Sequence, residues 1–168
     1  TGDDAVHADT ALTMNGGSID VVASHEGLES AAITINGGEL SIVSSDDGLN
    51  AAGGADGSGT QGPGGGRDTF AGGNFSITIS GGVVVISSRG DGIDANGSVT
   101  MSGGTVIVHG PTANNNGAID YDGTFSITGG LLVAVGSAGM AQAPGASSAQ
   151  ASVMLRVNGA LAASRSRQ

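Results

Sequence analysis

Ser44-Ser45-Asp46-Asp47-Gly48-Leu49-Asn50-Ala51 is an acidic turn followed by one apolar residue, and variants of it recur along the chain. They are Gly2-Asp3-Asp4-Ala5-Val6-His7-Ala8, Ser24-His25-Glu26-Gly27-Leu28-Glu29-Ser30, Arg89-Gly90-Asp91-Gly92-Ile93-Asp94-Ala95 and Asn115-Asn116-Gly117-Ala118-Ile119-Asp120-Tyr121. Equivalent positions are separated by 22 residues (Asp4 to Glu26), 21 (Glu26 to Asp47), 44 (Asp47 to Asp91) and 26 (Asp91 to Gly117). Self-similarity at a period of about 20–50 residues marks a stacked repeat architecture. The interval of 44 is then one repeat plus an insertion.

Gly-Gly pairs at 16-17, 37-38, 81-82, 103-104 and 129-130 fix the register within each repeat. Four and two residues before each pair stand Leu12 and Met14, Ile33 and Ile35, Ile77 and Ile79, Val99 and Met101, Phe125 and Ile127. Two and four residues after it stand Ile19 and Val21, Leu40 and Ile42, Val84 and Ile86, Val106 and Val108, Leu132 and Ala134. Polar residues alternate with these columns, the period of strands buried on one face. Val6, Leu28, Leu49, Ile93 and Ile119 mark a third, very short strand after each acidic turn. Three short strands in about 22 residues predict one coil of a single-stranded parallel β-helix, stacked at about 4.8 Å per coil. Gly-Gly supplies the corner that needs positive φ, and Gly48 reads as a corner too.

The whole of 1–168 therefore reads as one all-β domain of about six coils. The Gly-rich stretch 53–74 reads as a surface loop, and 138–168 as a capping coil and tail that includes one further strand, Ser152–Val157. Glycine at 33 residues with aromatics at 2% departs from the usage of an ordinary enzyme core. A net charge of -10 excludes the basic footprint of a nucleic-acid binder and favours cations. Apolar runs are far shorter than the roughly 20 residues of a membrane span. The chain lacks cysteine, which removes disulfides and thiolate metal sites. It starts inside a repeat, so it reads as a domain excised from a longer protein.

The chemistry lies in columns of carboxylates. Asp4, Glu26, Asp47 and Asp91 form one, which ends at Gly117; His7, Glu29, Asn50, Asp94 and Asp120 form a second; Asp3, His25, Asp46, Gly90 and Asn116 form their neighbour. Carboxylates stacked at roughly 5 Å repel by about 1 kcal/mol even in water, and more beside a low-dielectric surface. A hard divalent cation offsets that repulsion, since calcium takes six to eight oxygen ligands from carboxylates, amides and carbonyls. Ca2+ is thus the expected cofactor, with Asp3, Asp4, Glu26, Glu29, Asp46, Asp47, Asn50, Asp91, Asp94 and Asp120 as candidate ligands. The competing reading is that Asp-Gly and Asn-Gly here are only turn formers.

His7, His25 and His109 stand in three different columns without zinc spacing and read as surface residues. Asp91 and Asp94 are a conceivable acid–base pair for glycoside hydrolysis, but the chain offers few aromatic platforms for sugar rings, which argues against an enzyme. Arg89 and Tyr121 are the candidate ligand contacts.

The repeated turn, the Gly-Gly ladders, the Gly-rich insertion and the closing run Gly136-Ser137-Ala138-Gly139-Met140-Ala141-Gln142-Ala143-Pro144 together resemble the bacterial carbohydrate-binding β-helix domain family related to polysaccharide lyases. The resemblance spans essentially the whole chain. It implies a right-handed β-helix, an extracellular or cell-surface location, and calcium-dependent binding of acidic polysaccharides such as polygalacturonate without catalysis. It supports Asp46, Asp47, Asp91 and Asp94 as calcium ligands, whereas Glu26 and Glu29 depart from the family's Asp. Two other readings stand beside it. One is a structural or adhesive rod, stiffened by calcium and associating end to end through open coil edges. The other is an ice-binding face built on the row Thr13, Thr34, Thr78, Thr100 and Ser126.

Overall fold

The computed structural model describes residues 3–52 and 74–157. Fifteen strands form three parallel five-stranded sheets, and no helix occurs among the described residues. Sheet A takes the three-residue strands β1 (Val6–Ala8), β4 (Leu28–Ser30), β7 (Leu49–Ala51), β10 (Ile93–Ala95) and β13 (Ile119–Tyr121). Sheet B takes β2 (Leu12–Met14), β5 (Ala32–Ile35), β8 (Ser76–Ile79), β11 (Ser98–Met101) and β14 (Phe125–Ile127). Sheet C takes β3 (Ser18–Ser24), β6 (Glu39–Ser44), β9 (Val83–Ser87), β12 (Thr105–His109) and β15 (Leu131–Val135). Each coil contributes one strand to each sheet, which makes a parallel β-helix of five coils.

The apolar columns set the register. Along β6, exposure and burial alternate at every residue, with Leu40 and Ile42 turned inward. Ile33 lies opposite Ile77, Ile77 opposite Val99, and Val99 opposite Phe125, all fully or almost fully buried. Fully burying such a side chain contributes about 1.5–3 kcal/mol, and a slip of one residue would turn every one of them to solvent. β8 stacks directly on β5 although 40 residues lie between Ile35 and Ser76 in sequence. The long interval is therefore one coil interrupted, as its length predicts. Of the 53–74 insertion only Asn74 lies within the described residues, and it is exposed.

The second glycine of each pair, Gly17, Gly38, Gly82, Gly104 and Gly130, has φ between 81° and 97°, the left-handed corner expected of it. Gly48 does not share this conformation. It is glycine for another reason: a Cβ there would strike the side chain of Ile86 and the carbonyl of Gly92 in the next coil. The coil corner expected at Gly48 is thus a close approach of backbones, not a left-handed turn.

Beyond β15 the chain lies across the last coil without forming ladder strands. Ser137, Gly145 and Gln150 donate their amides to the carbonyls of Pro111, Phe125 and Ile127. The strand expected at Ser152–Val157 does not form; those residues are exposed and unpaired in any sheet. Among the described residues the count is accordingly five coils, against about six expected.

Candidate metal centre

The acidic turns are stacked by their own backbone. Ala5 donates to the carbonyl of Glu26 at 3.0 Å, Gly27 to that of Asp47 at 3.0 Å, and Gly48 to that of Asp91 at 2.9 Å. This places Asp4, Glu26, Asp47 and Asp91 in one column, one coil apart. In the second column His7 lies opposite Glu29, Glu29 opposite Asn50, Asn50 opposite Asp94, and Asp94 opposite Asp120. The second column runs up sheet A on its outward side, since Leu28, Leu49 and Ile93 take the inward positions, and the first lies in the turns that lead into that sheet.

At the first coils the columns converge. His7 Nδ1 lies 2.7 Å from Glu29 Oε2 and 3.5 Å from Asp4 Oδ2. Asn50 Nδ2 donates to Glu26 Oε2 at 2.7 Å. Glu29 is fully buried despite its outward position, and Asp4 Oδ1, Glu29 Oε1 and Asn50 Oδ1 are buried with no hydrogen-bond partner. Burial raises Glu26 from 4.5 to about 7, against the opposing hydrogen bond from Asn50. Burial also raises Glu29, while the hydrogen bond to Glu29 raises His7.

Farther along, half of each carboxylate is committed to the turn. Asp47 Oδ1 accepts from the amide of Asp91 at 2.6 Å, and Asp91 Oδ1 from that of Gly117 at 2.5 Å. These are the caps that the turn-former reading demands. They do not satisfy the column: burial first, then the charge of Asp94, holds Asp47 far above the ordinary carboxylate range. Burial likewise pushes Asp91 up to about 6 and, with Asp91 and Asp120 adding, Asp94 up to about 7. Gly90 leaves room beside them, because a Cβ there would meet Oδ1 of both Asp46 and Asp47. The two oxygens therefore point at a common space.

The remaining sequence-predicted residues are spread around this face. Asp3 is exposed and its Oδ1 accepts from the amide of Asp4 at 3.1 Å. Asp46 Oδ2 lies 3.8 Å from His25 Nε2. Asp120 Oδ1 accepts from Gln142 Nε2 at 2.5 Å, a tie from the closing run that register alone does not reveal. Arg89 is exposed on the turn before Gly90. Tyr121 packs against the core edge-to-face with Phe125, and its hydroxyl donates to the carbonyl of Ala143 at 2.9 Å.

His7 and His25 lie at the surface as expected, but each is within reach of two carboxylates. His7 joins Asp4 and Glu29, and His25 joins Asp4 and Glu26, each as three potential ligand atoms within 4.8 Å of one another. Different columns do not keep these groups apart, because the Asp4 carboxylate reaches between them. The period itself carries a signal, since His7 stands at the head of Glu29's column.

Comparison of the chain with family models, curated proteins and solved structures finds no match.

Proposed function

We propose that this chain is an extracellular calcium-dependent binding domain for acidic polysaccharides such as polygalacturonate. One observation carries the reading: Asp47, Asp91, Asp94 and Asp120 are stacked on one face, where burial and mutual repulsion raise Asp47, Asp91 and Asp94 above the ordinary carboxylate range. Among the described residues the ion pairs to carboxylates use histidine, so this part of the face has no fixed positive charge against it. The donors fit calcium, being oxygens throughout, and the space that Gly90 leaves beside Asp46 and Asp47 gives room for coordination. When bound there, calcium supplies positive charge shared between protein and uronate carboxylates, which reverses the repulsion a -10 chain exerts on a polyanion. The residues of the chain hold and orient; no catalytic role is assigned to them.

Co-sedimentation with insoluble polygalacturonate should retain the protein in calcium and release it on chelation. Retention that survives chelation removes calcium from the reading, and no retention in either condition removes the polysaccharide.

A second reading, a rod that associates end to end, has the last strand in its favour. β15 is paired on one side by β12 and leaves Leu131, Val133 and Val135 about half exposed. An open edge of this kind is a template for another strand. Sedimentation velocity over a hundredfold concentration range should show mass increasing if this edge is used, and Val133→Lys should abolish the increase. A constant monomer mass excludes it. No helix among the described residues is long and apolar enough to cross a membrane.

A further inference from the structure

From the cluster at the first two coils we infer that Asp4, His7 and Glu29 form a second metal site, chemically distinct from the calcium ladder, for a borderline divalent ion of the zinc or cobalt class. The ligand atoms already lie within 4.8 Å of one another. Around them are oxygens that nothing in the protein satisfies. Glu29 is 0% exposed and its Oε1 has no donor; the Asp4 side chain is 4% exposed and its Oδ1 has none either. Buried polar atoms left unpaired are rare because each costs about 1–3 kcal/mol. As carboxylates both are acceptors only, so the missing partner is a proton shared between them or a cation that replaces it, and a single proton on His7 Nδ1 reaches one Glu29 oxygen and leaves the other bare.

The nitrogen decides which cation. Calcium takes oxygen ligands, whereas imidazole suits zinc, cobalt, nickel and copper. Two carboxylates and one imidazole leave a fourth position for water or a ligand, as in open zinc sites. His7 also has the outer partner that metal-binding imidazoles require: Nδ1 faces Glu29 and Asp4, while Nε2 lies 3.2 Å from Asp9 Oδ1. A carboxylate on the far nitrogen fixes the ring and its tautomer. In the next coils the same column carries Asn50, Asp94 and Asp120, so the nitrogen is confined to this end. The second cluster, Asp4, His25 and Glu26, competes for Asp4 but is weaker, because Glu26 already accepts from Asn50.

Cobalt titrated into the metal-stripped chain tests this through its visible absorption. A saturable, one-equivalent band stronger than that of the aquo ion is expected, displaced by zinc and not by excess calcium. His7→Ala should weaken cobalt binding by at least tenfold and leave calcium uptake unchanged, and Asp9→Asn should weaken it by about tenfold through loss of ring orientation. His7→Asp, which keeps a ligand in place but makes the site all oxygen, should shift preference toward calcium and guards against misreading a folding defect. Asp94→Asn should lower calcium binding and spare cobalt, so failure of one site is distinguishable from failure of the other. The inference is overturned if cobalt does not bind at millimolar concentration, if calcium displaces it equivalent for equivalent, or if His25→Ala abolishes the band while His7→Ala does not.

Discussion

At the scale of single residues, the acidic face is a set of carboxylates held where deprotonation is costly, which gives the metal-free protein a defined pH dependence. Glu26 has a folded value of about 7 against an ordinary 4.5, and Asp91 about 6 against 3.8. Between those limits the folded state keeps protons that the unfolded chain releases, so stability is full below about 4 and falls as pH rises toward 7. His7, raised from 6.5 to about 9 by Glu29, works in the same direction at higher pH. In chelator, the protein should melt at a higher temperature at pH 5 than at pH 8, and saturating calcium should recover the difference at pH 8. Asp94→Asn sharpens the test, because Asn50 already fills the equivalent position one coil away. That variant should raise the metal-free melting temperature at pH 8 by about 2–4 °C, a gain of about 1 kcal/mol for a domain of this size. It should also shrink the calcium-induced gain. A melting temperature that is flat with pH in chelator would contradict the buried, mutually repelling column.

At the scale of strands and corners, the glycine pairs separate backbone strain from steric contact. A Cβ added at Gly16 would meet nothing within 4 Å, and the φ there is not positive. Gly17 has equally open space but a φ of 82°, whereas Gly82 has φ 84° and would bring a Cβ to 2.8 Å from the carbonyl of Gly38. Substitution by alanine should therefore be near neutral at 16, destabilise by about 1 kcal/mol or more at 17, and destabilise further at 82, where overpacking adds about 1–3 kcal/mol. Urea denaturation of the three variants measures this order, and equal effects at 17 and 82 would mean that the coils do not stack as tightly as described. The strands are legible in the sequence because each inward residue repeats in a column: Ile33, Ile77 and Val99 announce both burial and partner. The corner at Gly48 is not, because an Asp-Gly turn looks the same whether glycine is required by φ or by an approaching carbonyl. The convergence of Asp4 with His7 is hidden because period reports which residues share a column, not how far a side chain leans toward the next. Ser152–Val157 shows the opposite limit, an apolar pattern that pairs with no strand among the described residues.

For the molecule as a whole, stability is a sum over neighbouring coils, so each coil depends on the one beside it more than on any centre. This is why the columns, and not a pocket, organise the functional face. It also explains why β8 meets β5 in register across the longest interval in the chain. The joint between Ala52 and Asn74 leaves from β7, which carries Asn50 on the acidic ladder, and returns to β8 with its geometry already fixed by the coils on both sides. Such a joint is a free site for variation: its length and composition can change without disturbing the ladder. The scaffold supplies a constant acidic face, and the chain is interrupted at the edge of that face without the ladder losing its register.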